Sequence, residues 1–406
     1  MSNCKIVKGG VASAKGFRAA GVPAAIKYEG RNDVALIVAD EPCALAAVFT
    51  TNKVAAAPVV YDREAAKRGT VQAILVNSGC ANACTGERGM RDVKKSVAET
   101  ARHLKLDPAN VLVASTGVIG RPLPMDRLLK GMKAAAAALD SGVQAGHNAE
   151  LAIMTTDTKP KEACCTVEIG GKTITVGGMT KGSGMIEPNM ATMLGFITTD
   201  AAISRPMLKR ALMFALNKSF NRVVVDGDES TNDSLFLMAS GKALNKPITK
   251  DGTDFRLFLE ALETVAVSLA KQMAADGEGA TKFVTVKVKG AKNVKDAERA
   301  ARSIAKSPLA KTSWFGRDPN WGRVLAAIGY SGAEVEDLKT EIFYDREWAF
   351  RSGKVADAKQ LAKLAKVLEK SEFTVLADLH LGEGEATIYT CDFSLDYVHI
   401  NADYTT

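Results

Sequence analysis

The chain has 406 residues, of which 47% are hydrophobic and 24% charged, and its 53 basic and 46 acidic residues give a net charge of +7. This composition holds enough apolar material to offset chain entropy, which excludes a predominantly disordered protein. No apolar run approaches the roughly 20 residues that span a bilayer, which excludes a helical membrane protein.

The length suits two or three domains of ordinary size. The opening MSNCKIVKGG turns polar and glycine-rich before an apolar signal core can form, so no secretory signal is expected. Seven cysteines are too few for a disulfide scaffold and odd in number; a reducing, cytoplasmic setting is the expectation. The densest basic stretch, around Lys359, Lys363 and Lys366, also carries Asp357 and Glu369. That is the pattern of a solvated helix face, not of a nucleic-acid groove. His103, His147, His380 and His399 are far apart in the chain, which argues against a His-rich metal site.

In chain order, residues 34–39, 71–76, 111–114 and 173–176 read as short buried strands. Residues 92–104 and 126–139 read as helices, the second with Leu128, Leu129, Met132 and Ala136 on one stripe. Helices are expected at 207–216 and 255–273, then a strand at 283–288, an amphipathic helix at 355–368 and a strand at 386–393. Strands and helices mix without a strict βαβ rhythm, predicting an α+β protein of layered sheets and helices. The one shift in composition spans 177–199, where glycine, methionine and small hydroxyl residues dominate. It reads as a loop of the kind that carries chemistry, with a buried strand over 193–197.

Several familiar motifs fail. Gly171-Lys172-Thr173 would place the first P-loop glycine at Thr166. Asp226 and Asp228 would begin a calcium loop whose turn glycine is Thr231 and whose bidentate glutamate is Leu237. Ser183 lacks the nucleophile-elbow glycine, because position 181 is lysine. Cys80 and Cys84, and the adjacent pair Cys164 and Cys165, have no second metal-binding pair and read as small buried thiols.

The hydroxyl of Thr192 is the feature that remains. Threonine needs a base to become a nucleophile. Cutting the peptide bond before it would free its own α-amine, with a pKa of about 7.7–8.0, a few bonds from the hydroxyl. Ala191 leaves the preceding carbonyl approachable, Gly182 and Gly184 permit a strained backbone, and Pro188 restricts the approach. From the residues alone, Met190, Met193 and Leu194 read equally well as core packing with Thr192 incidental.

The stretch KGSGMIEPNMATMLGFITTDA, 181–201, closely resembles the self-processing site of the glutamate N-acetyltransferase family, the ornithine acetyltransferases of arginine biosynthesis. The resemblance continues through FTTN at 49–52, NSGCANACTG at 77–86, STGVIG at 115–120, IMTTDT at 153–158, DGDESTNDS at 226–234, GEGATKF at 277–283, DPNWGR at 318–323 and DYVHINADY at 396–404. It implies an α-β-β-α sandwich with a smaller C-terminal α/β domain from roughly residue 290. It implies cleavage between Ala191 and Thr192 into an α chain of 1–191 and a β chain of 192–406, which stay together, with an α2β2 assembly. Thr192 would take acetyl from N-acetylornithine, release ornithine and pass acetyl to glutamate by a ping-pong route.

Thr116 and Gly117 would hold the oxyanion, each donor lowering the barrier by about 3 kcal/mol; without the family they read as a turn after a strand. Substrate contacts map onto Thr155, Lys181, Thr192, Glu278, Asn401 and Thr406. A lysine with hydroxyl and amide donors suits an N-acyl amino acid, and Glu278 suits the cationic side chain of ornithine. No cofactor or metal is implied, and neither a nucleic-acid nor a membrane partner; acetyl-CoA is a co-substrate in bifunctional members. Cys80, Glu187 and Thr405 depart from the family's usual asparagine, histidine or alanine, and arginine; Thr405 bears on the contacts of the tail. Two other readings are a self-processed amidohydrolase or aminopeptidase that passes the acyl group to water, and a non-catalytic basic protein that binds an anion or RNA.

Overall fold

The computed structural model describes residues 3–187 and 193–403. One sheet contains β1 (Cys4–Val7), β2 (Phe17–Val22), β3 (Val34–Phe49), β4 (Thr70–Asn77), β5 (Val111–Ser115), β6 (Glu162–Ile169), β7 (Lys172–Lys181) and β8 (Leu194–Thr199). After β9 (Val223–Val224), which pairs elsewhere, β10 (Ser234–Ala239) completes it in the order β1-β6-β7-β8-β10-β3-β4-β5, with β2 also on β3.

β3 turns this sheet into two layers. It runs for 16 residues, and its pairing with β4 slips between Val38 and Cys43, where Asp40, Glu41 and Pro42 are exposed. Two carboxylates and a proline are poor strand formers, and a bulge there bends the strand. Before the bend β3 pairs with β2 and β4; after it, from Ala44, it pairs with β10.

Period-2 alternation then sorts the side chains. Ile37, Ile74 and Leu112 from one half face Phe196, Phe236 and Met238 from the other in a shared inner core. Their neighbours Leu36, Leu75 and Val113 point outward against α2 (Gly86–Leu104) and α3 (Met125–Ala137). On the opposite side Val176, Ile197 and Leu237 pack against α5 (Arg205–Lys218) and α6 (Thr253–Ala275). α1 (Ala57–Ala65) lies beside α2, and α4 (Val143–Ile153) sends Ala149, Ala152 and Ile153 into the inner core. The result is an α-β-β-α sandwich of the α+β class.

A second sheet has the order β14-β13-β12-β15-β11-β16-β9, built from β11 (Phe283–Ala291), β12 (Glu341–Tyr344), β13 (Glu347–Arg351), β14 (Lys354–Val355), β15 (Glu372–Asp378) and β16 (Gly384–Cys391). Its core packs against α7 (Val294–Lys306), α8 (Pro308–Phe315), α9 (Trp321–Gly329) and α10 (Ala358–Leu368), around the buried Trp314 and Tyr344. β9 comes from upstream of α6, and Phe283 and Cys391 join the α5–α6 core, so the second sheet is stitched to the sandwich. The chain ends on α11 (Leu395–Asp403). Among the described residues no helix is long and apolar enough to cross a membrane.

Two sequence expectations are corrected. Residues 177–181 are strand, not loop, because β7 runs through Gly177 and Gly178 to Lys181. The glycines are there for close packing: a Cβ on Gly177 would collide with the Gly10 carbonyl. The helix expected over 355–368 starts at Ala358, where the Asp357 carboxylate caps the Gln360 N–H at 2.8 Å; Val355 belongs to β14.

α4 also carries a charge problem. Glu150 is fully buried; one oxygen accepts the Lys161 N–H at 2.9 Å and the other has no hydrogen-bond partner among the described residues. Burial pushes its carboxyl well above the usual value. A carboxyl raised on folding gives full stability below its unfolded pKa of about 4.3, which is lost as pH rises toward the folded value, at up to about 1.4 kcal/mol per pH unit. Glu150→Gln removes that dependence. Scanning fluorimetry from pH 5 to about 8 should show the wild-type Tm falling more steeply than the variant's; parallel curves would assign Glu150 no such cost.

Candidate active site

Where the sandwich meets α11, a crevice of about 120 Å³ is lined by Thr116, Gly117, Thr155, Lys181, Glu278 and Asn401. Six positions named from the sequence therefore come together from five separate chain segments. Ala191, Thr192 and Thr406 lie outside the described residues.

Thr116 and Gly117 follow β5. Gly117 has φ +127°, and a Cβ there would collide with the Gly79 backbone, so only glycine lets the two loops approach. Thr155 follows α4, and Lys181 is the last residue of β7, paired in register with Leu194 of β8. Glu278 sits between Gly277 and Gly279 after α6, with its carboxyl against Gly184, where a side chain would push the carboxyl aside. Asn401, on α11, donates from Nδ2 to Glu278 Oε2 at 2.9 Å.

The Lys181 side chain is only 10% exposed, and its nearest charge is Asp157 Oδ2 at 3.9 Å. Among the described residues its ammonium has no hydrogen-bond partner. A buried cation with unused donors, opening onto a cavity, is suited to an anion.

The frame behind this lysine is ionic. Asp157 Oδ1 accepts from Lys161 Nζ at 2.8 Å and the Gly182 N–H at 2.7 Å, while Oδ2 accepts the Thr155 N–H at 2.9 Å. Lys161 Nζ also reaches Asp276 Oδ2 at 2.5 Å. Burial pushes Asp157 up, but Lys181 and Lys161 outweigh it and hold the carboxyl well below the usual range. Burial likewise depresses Lys161, and Asp157 and Asp276 outweigh it. Asp276 extends the frame to Glu278: its carbonyl accepts from Ser183 Oγ at 2.7 Å, and the Ser183 carbonyl accepts the Glu278 N–H at 3.1 Å.

Reading the residues one by one did not single out Asp157, Asp276 or Lys161, nor Ser230, Thr231 and Asn232, which also line the crevice. Asp157 lies within IMTTDT and the last three within DGDESTNDS, so the quoted motifs held them without giving them roles. Asp233, beside them, is buried, and one of its oxygens has no hydrogen-bond partner among the described residues; burial pushes its carboxyl well above the usual value, with Ser230 and Lys181 acting against the rise. The four histidines and the cysteine pairs contribute nothing to the crevice lining.

A model of the ArgJ family matches residues 18–406. The arginine biosynthesis bifunctional protein ArgJ of Symbiobacterium thermophilum is 51% identical over 400 residues, covering 98% of this chain and 99% of that protein. Its namesake from Bacillus subtilis is 42% identical over 410 residues, covering 100% and 99%. Among solved structures, ornithine acetyltransferase complexed with ornithine from Mycobacterium tuberculosis is 40% identical, with a TM-score of 0.44 over 46% of this chain and 100% of that one. With a family match over nearly its full length and relatives this similar from end to end, the chain belongs to the ArgJ family.

Proposed function

We propose that this protein is an acetyltransferase of arginine biosynthesis that exchanges acetyl between N2-acetylornithine and glutamate, with Thr192 as the nucleophile. The observation that carries this reading is the nine-tenths-buried Lys181 ammonium, which among the described residues has Asp157 at 3.9 Å and no hydrogen-bond partner, in one crevice with Thr116, Gly117, Thr155, Glu278 and Asn401. The substrates share an α-carboxylate, which matches a cation with unused donors, and ornithine adds an ammonium, which matches Glu278.

In this reading the chain cuts itself between Ala191 and Thr192, and the two parts form an α2β2 assembly. The freed α-amine takes the Thr192 hydroxyl proton as the oxygen attacks the acetyl carbonyl. The Thr116 hydroxyl and the Gly117 N–H receive the oxyanion. Collapse breaks the amide C–N bond, and ornithine leaves with the proton on its new amine. Glutamate's amine then attacks the acetyl ester and restores the Thr192 hydroxyl. The relatives are named bifunctional, and the second activity in this reading is acetylation of glutamate from acetyl-CoA.

Incubation of the purified protein with N-acetylornithine, with and without glutamate, tests the proposal. Ornithine and N-acetylglutamate should accumulate in equal amounts over many turnovers when glutamate is present, and without glutamate ornithine release should stop at about one equivalent of enzyme. Acetate without N-acetylglutamate would instead assign the chain to the hydrolases.

A further inference from the structure

We infer that Asn232 is a positioning residue for the oxyanion pocket, holding the Thr116–Gly117 segment in register with the strands that follow Thr192; the inference rests on the acetyl-transfer reading above. Asn232 stands two residues before β10 and is 6% exposed. Its Nδ2 donates to the Ala81 carbonyl at 2.7 Å and to the Ser115 carbonyl at 2.8 Å, which occupies both amide protons. Its Oδ1 accepts from Thr231 Oγ1 at 2.7 Å. No other residue type of this length offers two donors and an acceptor in one plane.

The Ser115 carbonyl belongs to the peptide unit that carries the Thr116 N–H. That unit is planar, so fixing its two ends fixes its plane. Asn232 holds the carbonyl end, and the Asn77 carbonyl accepts the Thr116 N–H at 3.0 Å. Ser115 Oγ adds a bond to Asn77 Oδ1 at 2.7 Å.

The other side of the clamp is equally anchored. The Thr50 N–H donates to the Asp233 carbonyl at 2.9 Å, Thr50 Oγ1 to the Ser230 carbonyl at 2.8 Å, and the Ala56 N–H to the Thr231 carbonyl at 2.9 Å. The Ser234 N–H donates to the Met193 carbonyl at 2.9 Å, tying the start of β10 to the residue that follows Thr192. Within the sheet that holds both, Asn232 thus adds a direct side-chain link between two supports, one bearing the oxyanion donors and one leading to the nucleophile. Positioning of that kind acts on the transition state and not on ground-state binding.

The test is Asn232→Asp in the full-length protein, which keeps the shape but loses both donors. The kcat for acetyl exchange should fall about 100-fold, the scale of one oxyanion donor, while KM for N-acetylornithine and for glutamate each stay within about threefold. Both half-reactions pass through a tetrahedral oxyanion, so rapid-quench measurements should show acetyl-enzyme formation and its discharge to glutamate slowing together. Wild-type kcat in the variant, a KM increase with kcat retained, or slowing of one half-reaction alone would overturn the inference. If Asn232→Asp does not fold, Ser115→Ala decides. It removes the side-chain bond from Ser115 Oγ to Asn77 Oδ1 that braces the same strand end, so a lower kcat at constant KM supports the clamp and an unchanged kcat overturns it. Wild-type protein inert toward N-acetylornithine would remove the functional reading itself, an outcome distinct from active wild type with normal variants.

Discussion

Replacing Thr192 by alanine should leave a single 43.0 kDa polypeptide, whereas the wild type should give two fragments, 1–191 and 192–406, by intact-mass analysis. N-terminal sequencing of the active wild type should find a second terminus reading Thr-Met-Leu. The same variant should lose acetyl exchange by at least about 10⁴-fold, because the attacking oxygen and its neighbouring base both depend on that residue. Thr192→Ser keeps the hydroxyl and should still cut. Active wild type that stays uncut would remove the α-amine from the mechanism, and a cut Thr192→Ala protein would show that another group performs the cleavage.

Glu278→Gln should separate the two substrates. Glu278 is buried, Asn401 donates to one of its oxygens, and it lines the same crevice as Lys181. If its charge receives the side-chain ammonium of ornithine, losing that contact costs about 1.5–3 kcal/mol, a rise in KM for N-acetylornithine of about 10- to 100-fold. Glutamate brings a carboxylate where ornithine brings an ammonium, so its KM should not rise. Steady-state measurement of both substrates reads this directly, and an equal loss for both would assign Glu278 a structural part instead.

The layered fold was legible because the near-continuous apolar runs of β3, β4 and β5 and the apolar stripe of α3 are strong local signals. The bend in β3 was hidden: Asp40, Glu41 and Pro42 read as the end of a strand, and only the pairing with β10 shows that the strand resumes in the other layer. β7 was shortened for a related reason, since Gly177 and Gly178 look like loop until Gly10 is seen packed against the first and Leu269 and Phe196 against the second. In the crevice, resemblance supplied Thr155, Lys181, Glu278 and Asn401, which chemistry alone would have left as surface or tail residues. Asp157 and Asn232 escaped attention because their importance lies in partners remote in the chain: Asp157 binds Gly182 and faces Lys181, and Asn232 bonds Ala81 and Ser115. Spacing along a sequence carries no trace of such contacts.

The junction at 191/192 lies between β7 and β8, which run side by side through six register pairs from Val176↔Thr199 to Lys181↔Leu194. The proposed cut there would fall between two paired strands in mid-sheet and leave their register pairs in place. Each fragment taken alone would present a long apolar strand edge with nothing beside it, an invitation to aggregate. If the proposed cleavage takes place, the protein has to fold as one polypeptide before it is divided, and the separated parts should aggregate instead of reassembling.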